Sequence, residues 1–395
     1  MLTSTVQQPT QVGRTAAPLP RPPAIGMIST YPPTQCGLAT FSAALISHMQ
    51  LSAGSLGVVQ VVDEPGPRPG PDVVAQLLNG SADSAGAAVR RLNGFDAVIV
   101  QHEYGIYGGP DGADVLGIVD ALTVPTIIVL HTVLQDPTAS QRHILLRLLA
   151  MADVVVTMTH TARRRLIASY GADPTQVTVI PHGAVDHGPA SSLPRLPAAR
   201  PVVLTWGLIG PGKGIEWAID AMAGLRDLQP RYLVMGRSHP KVVQRDGEAY
   251  RDGLVQRARD AGVHDIVELD DRYLGVGELA ELVREADVVL LPYDSREQVT
   301  SGVLIEAVAA GRPVVSTAFP HAIELLGDGT GLVVPQRDAA ALEAALRRVL
   351  SEPGLAQELA EQAALKAPEL LWASVADRYR TIAAAAVVAG MAEAS

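Results

Sequence analysis

The residues with the clearest chemical potential lie in the second half of the chain. The segment GLIGPGKGIEWAI, residues 207–219, is a glycine-rich turn that leads into an amphipathic helix and contains Lys213. Free backbone N–H groups at a helix start attract anions, and a lysine adds a full positive charge. The spacing is not that of an ATP-binding P-loop, because Gly214 and Ile215 follow Lys213 where a hydroxyl would hold magnesium. The segment indicates a site for another kind of phosphate, or a flexible turn with a solvated lysine.

Two later segments of this half contain groups that suit a nucleotide. MGRSHP adds Arg237 and His239, although Arg237 could equally pair with a surface carboxylate. In LPYDSREQVTSGVLIEAVAAGRPVVST a polar loop precedes a helix that starts at about Gly302, with Glu306 one turn in. Small residues there leave first-turn amides open to a ligand, and the carboxylate can accept two hydrogen bonds from a vicinal diol such as a ribose. The alternative is a glutamate that only offsets the helix dipole.

The first half of the chain contributes a glycine before a helix and polar residues after two strands. Gly37 precedes a helical run, so its surroundings could bind an anion or a sugar hydroxyl, or could be only a capped tight turn. His102, Glu103 and His131 are expected on one sheet rim. Such residues on loops suit hydrogen bonding to polyols or proton transfer. Each alone is more often structural, but their shared rim favours a functional group.

The elements that must position these residues alternate between short apolar runs and stretches with helical spacing. This alternation is typical of a parallel sheet that helices cover on both faces. The runs are AIGMIST, GVVQVVD, DAVIVQ, TIIVLH and VVVTMT, and then VVLTWG, RYLVMG, DIVELD, DVVLLPY, PVVST and GLVVP. A break rich in Pro, Gly, Ser and Ala at residues 181–201 predicts a linker between two doubly wound domains. Ligands of such sheets bind beyond the carboxyl ends of the strands, so we expect the site in the cleft between the two loop sets.

Composition and charge exclude several classes. The 395 residues have a net charge of −10, which does not fit a general nucleic-acid surface. The single cysteine, Cys36, offers no cysteine-based metal site and fits a reducing cytoplasm. No stretch reads as a signal peptide or reaches the length of a membrane span. We expect a cytoplasmic protein with at most peripheral contact with the inner face of the membrane.

The ordered motifs resemble one family of enzymes. GPGKG, LLPYDSREQVTSGVLIEAVAAGRPVV and FPHAIELLGDGTGLVVP are similar to the C-terminal half of the retaining GT-B-fold glycosyltransferases of the group 1 class, family 4 type, near a mannosyltransferase-like branch. YPPTQCGLATF, QHEYGIYGG, LHTVL and IPHGAVD extend the resemblance over residues 24–365. It implies an α/β fold of GT-B architecture, in which two doubly wound, Rossmann-like parallel-sheet domains face each other across a cleft.

The resemblance also implies roles for individual residues. Lys213 matches the lysine that binds the donor diphosphate, Glu306 matches the acid that binds the nucleotide ribose, and His131 matches the histidine beside the donor sugar. Gln298 stands where the family has the first of two paired acids, unless Glu297 takes that place by a shift of one residue. The expected catalytic residues are His131, Lys213, Gln298 and Glu306; the expected donor-binding residues are Gly37, Gly207, Gly212, Arg237, His239, Thr300, Ser301, Gly302 and Val303; and the expected acceptor-side residues are His102 and Glu103.

The implied enzyme moves a hexosyl group with retention, with GDP-mannose as the first-choice donor and a UDP-sugar as the other option. The acceptor is expected to be a glycan, a lipid-linked glycan or a small molecule in glycan or polysaccharide synthesis. No cofactor or metal is expected, which agrees with the absence of a D-x-D triplet. A GT-B-fold sugar-nucleotide epimerase and a non-catalytic sugar-nucleotide-binding scaffold are the alternatives.

These expectations divide the chain into four parts. Residues 1–23 are expected to be a disordered tail, since they are rich in Pro, Gln and Thr and have little to bury. Residues 24–190 are expected to form the acceptor-side domain, and residues 191–368 the nucleotide-sugar-binding domain. The last part, residues 369–395, is expected to be a helix that packs across the domain junction.

Overall fold

The computed structural model describes residues 21–50, 55–66, 70–188 and 200–393. The strands and helices up to residue 179 are β1 (Ile25–Ser29), α1 (Gly37–Met49), β2 (Leu56–Val62), β3 (Val73–Leu78), α2 (Ala82–Leu92), β4 (Ala97–His102), α3 (Val115–Asp120), β5 (Thr126–Leu130), α4 (Ala139–Met151), β6 (Val154–Thr157), α5 (His160–Tyr170) and β7 (Val177–Val179). Those that follow are β8 (Val202–Trp206), α6 (Ile215–Gly224), β9 (Arg231–Met235), α7 (Pro240–Asp246), α8 (Ala249–Asp260), β10 (Val267–Asp270), α9 (Val276–Glu285), β11 (Val288–Leu291), α10 (Gly302–Ala309), β12 (Val314–Thr317), α11 (Pro320–Leu326), β13 (Leu332–Val334), α12 (Ala339–Ser351), α13 (Leu355–Leu370) and α14 (Trp372–Glu393).

The strands form two sheets, one in each half of the chain. The first sheet has the order β3-β2-β1-β4-β5-β6-β7 and the second has the order β10-β9-β8-β11-β12-β13. Every strand pair in both sheets is parallel. The central strands are fully buried and rich in Val, Ile and Leu, as expected for strands covered on both faces. The predicted pair of doubly wound domains is confirmed.

Each sheet has a topological switch point, and both switch points coincide with the predicted site loops. The strand order reverses between β1 and β4 in the first sheet and between β8 and β11 in the second. A crevice opens at the carboxyl ends of such strand pairs, and ligands bind there in doubly wound folds. The 30–36 and 103–114 segments follow β1 and β4, while the 207–214 and 292–301 loops follow β8 and β11.

The chain crosses between the two domains at two places that pair with each other. Ala184 N donates to the Leu370 carbonyl at 2.7 Å, and Trp372 N donates to the Ala184 carbonyl at 3.0 Å. Helix α13 packs on α10 in the second domain, whereas α14 packs on α1 in the first. Trp372 and Tyr379 of α14 are buried in the same apolar cluster as Phe41 of α1. The last helix therefore completes the core of the first domain.

Two sequence expectations fall at least partly on residues that the structure does not describe, and a third differs from the structure. Residues 1–20 of the expected tail lie outside the described residues, and Arg21 forms an ion pair of 2.9 Å with Asp96. The expected domain boundary after residue 190 lies within 189–199, which are also outside. Residues 181–188, expected to be linker, make ordered contacts with both domains, because Ala184 bridges Leu371 and Val185 reaches Glu306.

Candidate functional site

The 207–214 and 292–301 loops of the second domain are fixed against each other. Gly214 has a φ of 63°, and a β-carbon there would lie 1.9 Å from the Pro292 carbonyl oxygen, so only glycine fits. Asp294 N donates to the Gly212 carbonyl at 3.1 Å. Helix α6 begins directly after this contact. The close approach of the two loops places the start of α6 beside the carboxyl ends of β8 and β11.

Lys213 lies between these loops with its charge unpaired. Its Nζ is 4.2 Å from the centroid of the Tyr293 ring, which is a cation–π contact. Within the part of the chain that the structure describes, Lys213 forms no ion pair with a carboxylate. Sequence reasoning missed Tyr293, which is 1% exposed and packs the face of its ring against the Lys213 ammonium. An aromatic ring directly after β11 was the signal that could have identified it.

Three helices begin at the switch points with unpaired backbone donors. The first two N–H groups of α1, α6 and α10 donate to no protein acceptor among the described residues. These groups belong to Gly37, Leu38, Ile215, Glu216, Gly302 and Val303. Such helix starts suit an anion or hydroxyl oxygens. Gly37 caps nothing itself: the N-cap of α1 is Cys36, whose Sγ accepts from Ala39 N at 3.4 Å.

Ser301, Gly207 and Gly212 have mainly structural contacts. Ser301 is buried, its Oγ accepts from Leu304 N at 3.3 Å, and its N–H donates to His321 Nδ1 at 2.8 Å. Gly207 N donates to the Met235 carbonyl at 3.0 Å. Ser301 is the N-cap of α10 and its own N–H already has a partner, so the N–H groups left for a ligand are those of Gly302 and Val303. The helix start at Gly302 is confirmed.

Glu306 faces the segment that crosses between the domains. Its two carboxylate oxygens lie 3.4 and 3.3 Å from Val185 N, and one of them lies 3.5 Å from His187 Nε2. The carboxylate remains partly exposed. Its position one turn into α10 is the predicted one. The 181–188 segment thus borders the group that was expected to bind a ribose.

Gln298 and Thr300 stand on the 292–301 loop. The side-chain amide of Gln298 donates through Nε2 to the Thr300 backbone carbonyl. The backbone carbonyl of Gln298 accepts from His321 N at 3.3 Å. Thr300 Oγ1 is buried and has no partner within the described ranges. The adjacent Glu297 pairs with Arg165 of the first domain at 2.7 Å. The alternative in which Glu297 takes the catalytic position is disfavoured, since its carboxylate is already engaged.

The first-domain rim is assembled by hydrogen bonds among its own residues. His131 Nε2 lies 2.7 Å from Gln101 Oε1, and Thr132 Oγ1 donates to Glu103 Oε2 at 2.5 Å. Burial raises the pKa of Glu103, while the hydrogen bonds from Thr132 Oγ1 and Tyr104 N and the charge of Lys241 oppose that effect. Burial, followed by the fields of His182 and His102, lowers the pKa of His131 to about 3. His131 is therefore neutral at physiological pH and can donate or accept a hydrogen bond.

Aromatic contacts connect this rim with the start of α10. The Phe41 ring packs edge-on against His131, with centroids 4.8 Å apart, and against His182, with centroids 5.0 Å apart. A β-carbon on Gly302 would lie 2.9 Å from His182 Nε2. His182 Nδ1 lies 2.6 Å from the Gly183 carbonyl. His182 was not singled out from the sequence, although it belongs to the IPHGAVD motif.

His102 does not reach the surface of the rim. It is fully buried, both ring nitrogens lack partners within the described part of the chain, and burial lowers its pKa to about 4. Direct contact of His102 with an acceptor is disfavoured by this burial. His102 instead packs edge-on against Tyr104, with centroids 4.9 Å apart.

The burial of His102 predicts a pH dependence of stability. A histidine in the unfolded chain binds its proton near pH 6.5, whereas the folded protein binds it only near pH 4. The unfolded state therefore gains protons first, and stability that is complete above pH 6.5 is lost as the pH falls towards 4. We expect His102→Leu to remove up to about 1.4 kcal/mol per pH unit from the slope of unfolding free energy between pH 6.5 and 5.

Urea unfolding at pH 7.0, 6.0 and 5.0 measures this slope for wild type and variant. His321, whose pKa is also lowered by burial, contributes equally to both proteins and cancels in the difference. The pKa of His131 is lowered mainly by burial, which the variant leaves in place, and only to a lesser extent by His102. Identical slopes would show that His102 stays neutral in the unfolded chain or protonates in the folded one, and would contradict the prediction.

Cations of the second domain extend from Lys213 across the cleft. Arg237 donates through Nη1 to Gln35 Oε1 at 3.1 Å, and Lys241 Nζ lies 2.7 Å from where a β-carbon on Gly105 would be. Both Gln35 and Gly105 belong to the first domain. Burial, Lys241 and Lys213 together lower the pKa of His239, in that order. Lys213 and Lys241 therefore both act on His239 and lie near each other at this edge of the second domain.

Two searches of the described residues gave negative results. Within residues 21–50, 55–66, 70–188 and 200–393, no group of three or more His, Cys, Asp or Glu side chains is arranged to hold a metal ion. Over the same residues, no helix combines the length and the apolar character needed to cross a membrane.

Sequence comparisons relate the chain to known proteins. Residues 200–352 match the family described as "Glycosyl transferases group 1", and residues 52–186 match "Glycosyltransferase Family 4". A D-inositol 3-phosphate glycosyltransferase of Kineococcus radiotolerans is 34% identical over 248 residues, which are 57% of this chain and 55% of that protein. The same-named protein of Actinosynnema mirum is 32% identical over 57% of this chain and 56% of its own length. The chain thus spans about half the length of these curated relatives.

Solved structures give the fold. A glycosyltransferase from Rickettsia africae has a TM-score of 0.73 at 14% identity and covers 92% of this chain and 98% of its own. Anabaena Alr3699/HepE in complex with UDP and glucose has a TM-score of 0.73 at 16% identity and covers 92% of this chain and all of its own. The predicted GT-B architecture is confirmed by these likenesses and by the two parallel sheets. The two family matches, one in each domain, and the shared fold relate the chain to the group 1 and family 4 glycosyltransferases.

Proposed function

We propose that the protein is a retaining glycosyltransferase that moves a hexosyl group from a nucleotide sugar to a hydroxyl acceptor. The observation that supports this most strongly is Lys213, an unpaired cation set between two switch-point loops beside the free N–H groups of α6 and α10. A pyrophosphate is the anion that suits such a constellation, since it can accept hydrogen bonds from both helix starts and neutralise the lysine.

The leaving group is then stabilised by the chain's own donors. As the glycosidic bond breaks, negative charge grows on the diphosphate, and fixed N–H dipoles and the Lys213 ammonium stabilise it without reorganisation. Glu306 accepts hydrogen bonds from the ribose, Gln298 holds the donor sugar through its amide, and neutral His131 contacts the sugar from the first domain. The departing phosphate takes the acceptor proton, so no protein nucleophile is required.

The donor and the acceptor are proposed from different sources. GDP-mannose is the donor that the sequence resemblance favours, whereas Alr3699/HepE was solved with UDP and glucose, so a UDP-hexose is the second donor to test. The relatives are named for D-inositol 3-phosphate, and a phosphate-bearing acceptor would suit Arg237 and Lys241, which reach the first domain and form no ion pair among the described residues, with Lys241 in the field of Glu103. A glycan or lipid-linked acceptor in polysaccharide synthesis is the other option.

Nucleoside diphosphate release tests the proposal. The purified chain is incubated with GDP-mannose, UDP-glucose or ADP-glucose, alone and with an acceptor panel that includes D-inositol 3-phosphate, inositol and oligosaccharides. Release that depends on an acceptor, with retained anomeric configuration in the product, is the expected result. Isomerised donor without release would favour the epimerase alternative, and binding without reaction would favour the scaffold.

We also propose that transfer needs no metal ion, since lysine and helix-start amides can stabilise the diphosphate by themselves. Initial rates measured in excess EDTA should stay within about twofold of those in Mg²⁺. A rate that collapses in EDTA and returns with a divalent cation would contradict this expectation.

A further inference from the structure

The 292–301 loop is attached to the first domain through Glu297. Its Oε2 atom accepts from Arg165 Nη1 at 2.7 Å and from Gln135 N at 2.8 Å. The same Arg165 nitrogen also donates to the Val133 carbonyl at 2.6 Å. The Arg165 side chain is 9% exposed and that of Glu297 is 34% exposed, so water reaches this interdomain ion pair from the Glu297 side. Gln135 lies in the loop that follows His131, and Arg165 donates to Val133 of the same loop.

Two neighbouring contacts strengthen the attachment. Val299 is 2% exposed and belongs to the apolar core of the first domain, although it lies in the second-domain half of the chain. Glu324 of α11 accepts from His160 N at 2.8 Å and from Thr161 N and Thr161 Oγ1 at 2.6 Å, so it caps the start of α5. Arg165 lies on the same helix. Helix α5 therefore holds the loop and α11 together.

The residues between these anchors are the ones assigned to the donor sugar. Gln298 lies between Glu297 and Val299, and Thr300 follows directly. His321 of α11 accepts from Ser301 N and donates its own N–H to the Gln298 carbonyl. Displacement of Glu297 or α11 would therefore move the Gln298 amide and the start of α10. Lys213 and Glu306 are fixed by other contacts, to Tyr293 and Val185.

We propose that Arg165 and Glu297 are positioning residues that fix the 292–301 loop against α5 and so set the sugar-binding groups of the second domain against His131 of the first. We call Arg165, Glu297, Val299 and Glu324 the α5 clamp. This inference rests on the proposed transfer function for its kinetic consequence. Its structural content, a loop ordered by contacts with the other domain, is independent of that function.

The first test separates donor affinity from turnover. In Arg165→Met and Glu297→Gln we expect kcat to fall at least tenfold, while the Kd of the nucleoside diphosphate rises by a smaller factor, because Lys213 and the N–H groups of α6 lie outside the clamp and only the start of α10 moves with it. The double variant should be no slower than the slower single variant, since the two residues act as a pair. Arg163→Met is the matched control, because the partners of Arg163 among the described residues are the Val177 and Pro174 carbonyls of the first domain.

Hydrogen exchange of amides gives a second readout that does not need activity. The Gln135 N–H donates to Glu297, so Glu297→Gln and Arg165→Met should speed its exchange and that of residues 295–301, whereas Arg163→Met should not. Clamp variants with wild-type kcat and unchanged exchange would overturn the inference. Absence of transfer in the wild type would contradict the proposed function, and exchange would still decide the clamp. If Arg165→Met fails to fold, Glu297→Gln alone decides, since it removes the ion pair that holds the loop and keeps the size of the side chain.

Discussion

Lys213→Ala should reduce kcat at least 100-fold while the protein still unfolds cooperatively. The ammonium group is the one full charge assigned to the leaving diphosphate, and removal of one preorganised donor to a developing anion typically costs about 10²–10³ in rate. The folded state loses only the contact with the Tyr293 ring, which is worth about 0.5–1 kcal/mol at partly exposed sites. The effect should fall mainly on kcat, because the negative charge on the diphosphate is greater in the transition state than in the bound donor.

The sequence offers a matched control for this change. The chain has three lysines, Lys213, Lys241 and Lys366, and Lys366 pairs with Asp328 far along the chain from both site loops. Lys366→Ala should retain the wild-type rate, and Lys213→Arg should recover part of the loss because it keeps the charge in a different shape. A Lys213→Ala protein with wild-type turnover would show that the pyrophosphate site is elsewhere.

The strands that could be predicted are those whose apolar runs are buried on both faces. All six second-domain runs, from VVLTWG to GLVVP, correspond to strands β8–β13. The sequence prediction missed β3 and β7 of the first sheet, which are its two edge strands. Strand β3 is mostly half-buried and β7 is three residues long, so neither shows the continuous apolar run of a central strand.

The site was predictable where its residues follow strands, and less so where they depend on tertiary contacts. Loop position alone brought Lys213 and the start of α10 to the switch point of the second sheet, and His131 to the carboxyl end of β5 in the first. The role of Glu297 could not be read locally, because its partners Gln135 and Arg165 lie more than 130 residues away in sequence. Contacts of this kind depend on the relation of two domains, which strand periodicity does not encode.

The 181–188 segment is a second case in which the sequence pattern did not predict tertiary contacts. Its Pro, Gly and Ala content indicates a linker, and that composition says nothing about what its backbone meets. In the fold, Val185 N points at the Glu306 carboxylate, and His182 lies against Phe41. A segment of low periodicity thus supplies part of the wall around the group assigned to the ribose. A change at Glu306 should therefore affect both the contact with the ribose and the backbone of the 181–188 segment.

Glu306→Ala should reduce kcat/KM for the nucleotide sugar at least 100-fold. The carboxylate is expected to accept from two ribose hydroxyls, and hydrogen bonds to a charged group contribute about 1.5–3 kcal/mol each. Because Val185 N would also lose its acceptor, Glu306→Gln serves as a second variant that keeps one oxygen for that N–H. Glu281→Ala, an exposed change on α9, is the control and should retain the wild-type kcat/KM.

A donor that lacks a ribose hydroxyl distinguishes ribose binding from a merely structural role of Glu306. Wild type should discriminate strongly between the ribonucleotide donor and its 2′-deoxy or 3′-deoxy form, because the carboxylate then loses one of its two donors. Glu306→Ala has no carboxylate that could accept from either hydroxyl, so its ratio of kcat/KM between the two donors should fall towards one. If the variant keeps the wild-type discrimination while kcat/KM drops, the carboxylate acts only by holding the 181–188 segment. The ribose contact must then be assigned to another group.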